Sequence, residues 1–589
     1  MKQRLFMNQH VLRPEGSDLS SKLRWAFLPS RRLILPALIF SLCTVVSMSQ
    51  AADTPDVAGL ESILAKRLPA DGPGEVVLVA RDGKILFSHG YGFADREKRI
   101  PTTPETRFRI GSVTKQFTAA AILHLAQEGK LSIDDSLAKY FPKYPGGEKI
   151  TLRHLLTHTS GLHNYTAHPD FLARVTQPIA SADLVAWFQD DPPDFPPGEQ
   201  FGYCNTGYVL LGQIVEKVSG LPLGDYLQKQ FFGPLGLHDT GTWHNATPPD
   251  HAAKGYSFIE KPLLGKQLQP AVDWDMSWAG GAGELYSTVG DLWHWTEALQ
   301  GGLILSPEGL RDMVTEVTVP KKETLTLRYG MGLGHCDIGN LPAIGHNGGL
   351  NGFLSEVMWF PDQKVTVVVL GNAMPPPPGT TPSEIVPIAA RAFLGPEMAA
   401  HAPKIDLTVN PKIYSDYVGR YDYKSGIQEV TAENGHIFAQ LTGQNKFEIF
   451  PSGPDAFFFK VVEASMVFQR DKNGIVTGVV HTQNEMTFTA PKLSEKDVPV
   501  LSNETLDAIV GQYQYGPAAV LTVTRRGNQL YAQLTGQSEA PIFPKSDHEF
   551  FWRIVPASVE FVRGADGKIA SAIHHQNGIT FTAPKLQSK

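Results

Sequence analysis

Apolar and polar positions follow two different rhythms along this chain. Glu75 to Ala80 (EVVLVA) and Lys84 to His89 (KILFSH) are short apolar-rich runs on either side of Arg81-Asp82-Gly83. An Asp-Gly pair between such runs predicts a β-hairpin. Ser112 to Glu128 behaves differently. Phe117, Ala119, Ala120, Ala121, Ile122, Leu123, Leu125 and Ala126 leave almost no polar face, and the run stops at Gly129. That predicts a helix buried at a domain centre and capped by glycine. Tyr208 to Val218 (YVLLGQIVEKV) has helical spacing and ends at Ser219-Gly220. Phe353 to Phe360 and Val365 to Leu370 read as strands joined at Pro361-Asp362. Strands therefore bracket helices within residues 53–398, which predicts a layered domain of the α/β or α+β type.

The rhythm changes after residue 398. Met374 to Pro378 and Pro396 to Pro403 are proline-rich or linker-like, and an internal repeat follows. Val418-Gly419-Arg420-Tyr421 returns as Val510-Gly511-Gln512-Tyr513, Ala439 to Gln444 as Ala532 to Gln537, and Thr487 to Leu493 as Thr580 to Leu586. The offset is 92 to 93 residues throughout. Short alternating runs and turns such as Asp471-Lys472-Asn473-Gly474 predict a small antiparallel barrel or sandwich in each copy, at 408–494 and 505–587. Two copies are too few for a solenoid.

Composition narrows the choice of partner. Of 589 residues, 42% are hydrophobic and 19% charged, which fits a packed protein and excludes wholesale disorder. Residues 1–51 hold seven Lys/Arg and two acids, so the rest is more acidic than the overall net charge of −7. An acidic body without a basic cluster argues against nucleic acid as a partner. The apolar run Leu33 to Met48 follows Ser30-Arg31-Arg32 and precedes Ser49-Gln50-Ala51, the pattern of a cleaved signal peptide over 1–51. Export to the periplasm or beyond is the expectation, by the general or the twin-arginine route, with no stable membrane insertion after cleavage; an uncleaved anchor is the alternative. Three cysteines provide neither a disulfide framework nor a cysteine zinc site, and Cys204 and Cys336 are expected to be buried thiols.

Candidate chemistry begins at Ser112-Val113-Thr114-Lys115, at the start of the buried helix. Positions i and i+3 share a face, so hydroxyl and amine can meet. The positive helix end favours an oxyanion at the serine amide, and a desolvated lysine can accept a proton. The motif alone does not separate a nucleophile from a capping serine with a surface lysine. Ser136-Leu137-Ala138-Lys139 matches as well, but follows Asp134-Asp135 in a polar stretch. His154, His158, His163 and His168 lack the glutamate of a His-Glu-x-x-His metal site, so no metal and no cofactor is expected. Trp274, Trp278, Trp293 and Trp295 read as core, and in His574-His575 one ring would face outward.

Two later motifs give the first its meaning. Tyr203-Cys204-Asn205 precedes the helix at Tyr208, and His346-Asn347-Gly348 lies beside the predicted strand pair. In this order and spacing, with Ile150 to Leu162 (ITLRHLLTHTSGL) and Leu285 to Leu292 (LYSTVGDL), residues 57–395 resemble the serine β-lactamase-related hydrolases. That family includes class C β-lactamases, DD-carboxypeptidases, D-aminopeptidases and serine esterases. The resemblance implies a β-lactamase/transpeptidase-like catalytic domain with an antiparallel sheet and helices over 53–398. The repeats resemble, more loosely, the lipocalin-like barrels appended to D-aminopeptidases. They carry no catalytic constellation, so they are expected to pack against the catalytic domain or to shape its substrate entrance.

The resemblance also implies roles. Ser112 would be the nucleophile, with proton transfer shared by Lys115 and Tyr203. Asn205 would hold Lys115 or a substrate amide. His346, where many relatives carry lysine, would orient a substrate carboxylate or the Tyr203 hydroxyl. Gly348 and Gly349 would border the substrate, with the amides of Ser112 and Gly349 as oxyanion hole. Cys204, where serine is common, would point away. Histidine in place of lysine favours D-amino-acid peptides or small esters over β-lactams. The alternatives are a β-lactamase or DD-carboxypeptidase and, in another class, a penicillin- or peptide-binding sensor without turnover.

Overall fold

A computed structural model describes residues 56–586, apart from 262–264, 320–324, 424–425, 443, 484–485, 495–498, 500, 517–518, 538, 553–556 and 577–578. The expected signal segment 1–51, and the first residues of the expected 53–398 domain, lie outside the described residues. Among the described residues no helix is long and apolar enough to cross a membrane.

The first domain is a two-faced sheet. Helix α1 (Val57–Arg67) precedes strands β1 (Glu75–Arg81) and β2 (Lys84–Tyr91). Asp82 and Gly83, both at positive φ (49° and 71°), make the tight turn between them. Helices α2 (Thr114–Gln127) and α3 (Asn205–Ser219) come next. Strands β3 (Leu325–Tyr329), β4 (Gly334–Ile338), β5 (Leu341–Leu350), β6 (Phe353–Phe360) and β7 (Val365–Gly371) follow, and then helix α4 (Pro382–His401). Their order is β3-β4-β5-β6-β7-β1-β2, with every neighbour antiparallel.

The continuous apolar runs follow from burial on both faces. Val76, Leu78 and Ala80 of β1 enter a core with α2 and α3, whereas Val77 and Val79 enter a second core with α1 and α4. A strand covered on both sides has no polar alternation to show. Helix α2 lies inside the first core, buried along nearly its whole length, which explains its missing polar face. Gly129, at φ 69°, ends it.

Each repeat is a nearly closed eight-stranded antiparallel barrel. The repeated motifs meet in space. Tyr421 bridges Lys492 in the first copy and Tyr513 bridges Lys585 in the second, closing each barrel. The motif glycines, Gly419 and Gly511, sit at φ 150° and 148° with that lysine lying across them. A Cβ there would come within 2.6 Å of Lys492 Cε or 2.5 Å of Lys585 Cε, atoms of a flexible side chain, so it is the positive φ that favours glycine at both positions. Inside, Tyr423 contacts His481 and Tyr515 contacts His574, each at 3.2 Å. His574 thus points inward, while His575 is at the surface against Thr580.

The first barrel is joined to the sheet of the first domain. Its last strand, Met486–Pro491, pairs with β3 through Leu325–Phe488, Thr326–Thr487 and Leu327–Met486. Glu463 adds a second tie, accepting from Gly339 N at 2.6 Å and pairing with Arg391 at 2.5 Å.

Candidate active site

Ser112 stands in a single 3₁₀ turn, Gly111–Val113, immediately before α2, so the α-helix proper starts two residues later than the apolar pattern predicts. Gly111 has φ 51°, and a Cβ there would lie 3.0 Å from Gly349 N. The main chain of Gly349 can therefore lie beside the Ser112 turn only because residue 111 is glycine. Gly348 is equally constrained, since a side chain would strike Ile110 O and Ser355 Oγ. Ser355 Oγ donates to Ile110 O at 2.7 Å and locks this approach. Strand β4 pairs with β5 only as far as Gly345, leaving the outer edge of residues 346–350 free of a strand partner among the described residues. The two amides expected to hold an oxyanion, of Ser112 and Gly349, thus belong to adjoining segments.

Lys115 is fully buried and sits among three oxygens. Its Nζ is 2.9 Å from Ser112 Oγ, 2.8 Å from Asn205 Oδ1 and 2.9 Å from Ala282 O. No carboxylate pairs with it among the described residues. Desolvation holds its pKa well below the usual lysine range. The rings of Tyr203 and Tyr208 lie 4.9 and 5.5 Å from the Nζ and favour the cation. Such contacts are worth about 0.5–2 kcal/mol, less than the several kcal/mol lost on burying a charge, so desolvation wins. A neutral amine keeps two N–H donors for Asn205 and Ala282 and turns its lone pair to Ser112. That arrangement suits proton abstraction.

Tyr203 is close enough to Ser112 to hydrogen-bond with it. Burial nevertheless raises the Tyr203 pKa above its ordinary value, and the Ser112 contact offsets only part of this. The phenol therefore stays protonated and is placed to give a proton rather than to take one. Asn205 heads α3, where its own amide donates to Asn164 Oδ1 at 3.2 Å. Cys204 points away from Ser112, its thiol directed at Leu162 O at 3.2 Å. Cys204 and Cys336 are both buried thiols.

His346 makes two hydrogen bonds within the protein. Its Nδ1 contacts Asn347 O at 2.5 Å, so that nitrogen carries the proton, and the Tyr329 hydroxyl donates to Nε2 at 2.9 Å. Both ring nitrogens are engaged within the protein, directed at neither the Tyr203 hydroxyl nor open space for a carboxylate. Burial, with Lys115 nearby, lowers its pKa to about 3, so the ring is neutral near pH 7.

Three residues of this wall have no such role predicted by their sequence context. The His158 ring centroid lies 4.2 Å from that of Tyr203, 4.8 Å from Tyr329 and 5.1 Å from Tyr208. Its Nδ1 accepts from Cys204 N at 3.1 Å, fixing the backbone beside Tyr203. Tyr208 donates to Leu156 O at 2.7 Å. Together these rings make the dry surroundings of Lys115. His158 is visible in sequence only as one of four histidines, and the structure gives those four separate partners. His154 Nδ1 accepts from Thr151 N, His163 meets Asp194 and His168 Nδ1 accepts from Asp170 N. Lys139 of the second Ser-x-x-Lys is exposed and ion-paired with Asp135 at 2.7 Å. The four tryptophans pack in or against the first core.

A serine beside a buried lysine, a tyrosine and an asparagine, at the edge of an antiparallel sheet with helices on both faces, defines the class of serine hydrolases built on the β-lactamase fold. The family profile described as beta-lactamase matches residues 63–386, and the chain belongs to that family. A second profile, described as a domain of unknown function (DUF3471), matches residues 404–497 and 495–587. Penicillin-binding protein 4* of Bacillus subtilis (strain 168) is 30% identical over 412 residues, 67% of this chain and 89% of its own length. Protein flp of Staphylococcus aureus (strain MRSA252) is 29% identical over 311 residues, 51% of this chain and 59% of its own. The octameric penicillin-binding protein homologue from Pyrococcus abyssi superimposes with a TM-score of 0.51 at 28% identity, over 74% of this chain and all of that one. The D-amino acid amidase from Ochrobactrum anthropi SV3, complexed with D-phenylalanine, shares the fold with a TM-score of 0.50 at 24% identity, over 57% of this chain and 99% of that one.

Proposed function

We propose that Ser112 attacks amide or ester carbonyls to form an acyl-enzyme that water then hydrolyses. Lys115 removes the serine proton, Tyr203 passes a proton to the leaving group, and the amides of Ser112 and Gly349 hold the oxyanion. The observation that carries this reading is the buried, carboxylate-free Lys115 at 2.9 Å from Ser112 Oγ. A structural lysine would be expected to have an acid partner or to reach solvent.

The substrates we propose are D-amino-acid peptides or small esters. Supporting this is His346, neutral and already bonded to Tyr329 where the family resemblance leads one to expect a cation for a substrate carboxylate. The resemblance to two penicillin-binding proteins keeps β-lactam acylation or DD-carboxypeptidase action as the second reading. The proposal includes export on the N-terminal signal over residues 1–51 to the periplasm or beyond, with no nucleic acid or metal involved.

A panel of D-alanyl amides, p-nitrophenyl esters and a chromogenic cephalosporin tests the assignment. Turnover of the first two above the third is expected. Preferred turnover of the cephalosporin would select the second reading, and stable labelling without turnover would make the protein a sensor.

A further inference from the structure

The short helix Leu152–Leu156 ends on a histidine where its turn calls for glycine. Thr159 N donates to His154 O at 2.9 Å and His158 N to Leu155 O at 3.5 Å, the pattern of a Schellman turn with Thr157 as its C-cap. The residue after such a cap lies in the left-handed region, and glycine is the usual choice there. Here it is His158, at φ 57° and only 1% exposed. Glycine would serve the backbone better, so the worth of this position lies in what the ring adds.

What the ring adds is a hold on the loop that carries Tyr203. Asp194 N donates to Gly161 O and Gly198 N to Thr159 O, both at 2.8 Å, which straps the first half of that loop to residues 158–161. Gly202 N then donates to His158 O at 2.8 Å, and Cys204 N to His158 Nδ1 at 3.1 Å. These two anchors fall on either side of Tyr203, whose ring centroid is 4.2 Å from that of His158. With Nδ1 accepting, the ring proton is on Nε2, which meets no hydrogen-bond acceptor among the described residues and has the rings of Tyr203, Tyr208 and Tyr329 around it. Burial, with Lys115 and His346 nearby, keeps the imidazole neutral, as an accepting Nδ1 requires. The ring is too deeply buried to touch a substrate, so any effect it has on the reaction passes through Tyr203.

We propose that His158 is a positioning residue for Tyr203, and that it thereby sets how well the site expels poor leaving groups. The proposal rests on the reading of Tyr203 as the group that protonates the leaving atom. When an amide C–N bond breaks, the nitrogen takes the Tyr203 proton, and the ammonium left on Lys115 restores it. An alkoxide leaving an unactivated ester needs a proton in the same way. p-Nitrophenolate and fluoride leave as stable anions and need none. A misplaced phenol therefore costs amides and alkyl esters heavily, and activated esters and fluorophosphonates little.

The test compares three reactions of the full chain: turnover of a D-alanyl amide or ethyl ester, turnover of a p-nitrophenyl ester, and fluorophosphonate labelling of Ser112. His158→Gly keeps the left-handed turn and the Gly202 anchor and removes the ring. It should lower kcat/KM on the unactivated substrate by about 10²-fold, and the other two rates by less than about fivefold. Asparagine tolerates the left-handed region and carries Oδ1 as many bonds from the backbone as histidine carries Nδ1. His158→Asn should therefore restore the unactivated rate to within about tenfold of the unaltered chain. His158→Leu, which fills the space without an acceptor, takes the place of His158→Gly if circular dichroism shows that variant misfolded. Tyr203→Phe should show the same selective loss, and adding His158→Gly to it should cost little more. Equal slowing of activated and unactivated substrates by Tyr203→Phe would end the reading of Tyr203, and the proposal with it. A selective loss in Tyr203→Phe that His158→Gly does not share, losses that multiply in the double variant, or a His158→Asn no better than His158→Gly would each overturn the role of His158 alone.

Discussion

Lys115 Nζ lies 2.9 Å from Ser112 Oγ, three residues away, across the join between a 3₁₀ turn and an α-helix. The contact is short because the helix stacks position i+3 over i, and it is dry because Tyr203, Tyr208, Tyr329 and His158 enclose it. Asn205 Oδ1 and Ala282 O fix the remaining directions of the amine. A lysine so held loses its proton far more readily than in water.

The first prediction concerns that proton. Labelling of Ser112 by a fluorophosphonate should rise with pH through the Lys115 pKa, and the midpoint should fall well below 10.5. Lys115→Ala should slow acylation by about 10²–10⁴-fold, the usual worth of a general base. Lys115→Arg should be no better, because guanidinium does not release its proton. Ser112→Ala should abolish labelling and Ser136→Ala should leave it unchanged. A pH-independent labelling rate would show that Lys115 is not the base.

The second separates two tyrosines. Tyr203→Phe removes the group beside Ser112 and should lower kcat/KM by about 10²-fold or more. Tyr329→Phe strips His346 Nε2 of its donor and Tyr208 of a hydrogen-bond neighbour. It should destabilise the fold by about 1–3 kcal/mol, the cost of an unsatisfied buried acceptor, while leaving kcat/KM within about tenfold. Denaturant unfolding beside the steady-state rate distinguishes them. Equal losses of rate in both variants would place Tyr329 in the chemistry.

Much of this site was legible as sequence. Ser112, Lys115, Tyr203, Asn205 and Gly349 were gathered into a set by the family resemblance, whose short motifs are each contiguous in the chain. The Asp82-Gly83 turn and the all-apolar α2 were legible for the same reason. What could not be read was side-chain direction across long separations. Tyr329 had no marker of its own, and nothing in the chain announces that its phenol meets His346, 17 residues further on. His158 stood only as one of four histidines without a metal motif, and its ring neighbours lie 45 and 50 residues further on. The barrel repeats were plain from their periodicity, but the pairing of the first with β3 was not, because a strand edge bears no sequence signature of its partner.

The third prediction is acid sensitivity. An ordinary histidine takes up a proton near pH 6.5, whereas in this fold His346 does so only near 3 and His481 near 4, both held down mainly by burial. Between those values the unfolded chain binds more protons than the folded one, so stability falls as pH is lowered from about 6.5 toward 4. Every tenfold loss of proton affinity on folding corresponds to about 1.4 kcal/mol. In urea unfolding followed across this range, His481→Gln should flatten the fall for the first barrel, and His346→Gln for the catalytic domain. An unchanged slope in both variants would assign the acid limb to other groups.

The last prediction turns on where the chain is cut. A chain ending at Leu493 keeps the pairing of Met486–Pro491 with β3 and the Glu463–Arg391 ion pair, and loses only the second barrel. It should fold, label at Ser112 and retain its substrate preference. A chain ending at Pro403 loses both ties and bares Leu325 to Leu327 as an open strand edge, which favours edge-to-edge association. The acid–base set lies wholly upstream of the cut, so Ser112 should still be labelled, but with a lower unfolding midpoint and concentration-dependent aggregation. Preference between short and long substrates should also shift, since β3 carries Tyr329 beside His346 on the site wall. Light scattering, fluorophosphonate labelling and kcat/KM on the two shortened chains decide the matter. Unchanged selectivity in the shorter chain would remove any role for the barrel in shaping the site, and an unreactive Ser112 in a folded chain would mean that the first barrel supports the catalytic geometry itself.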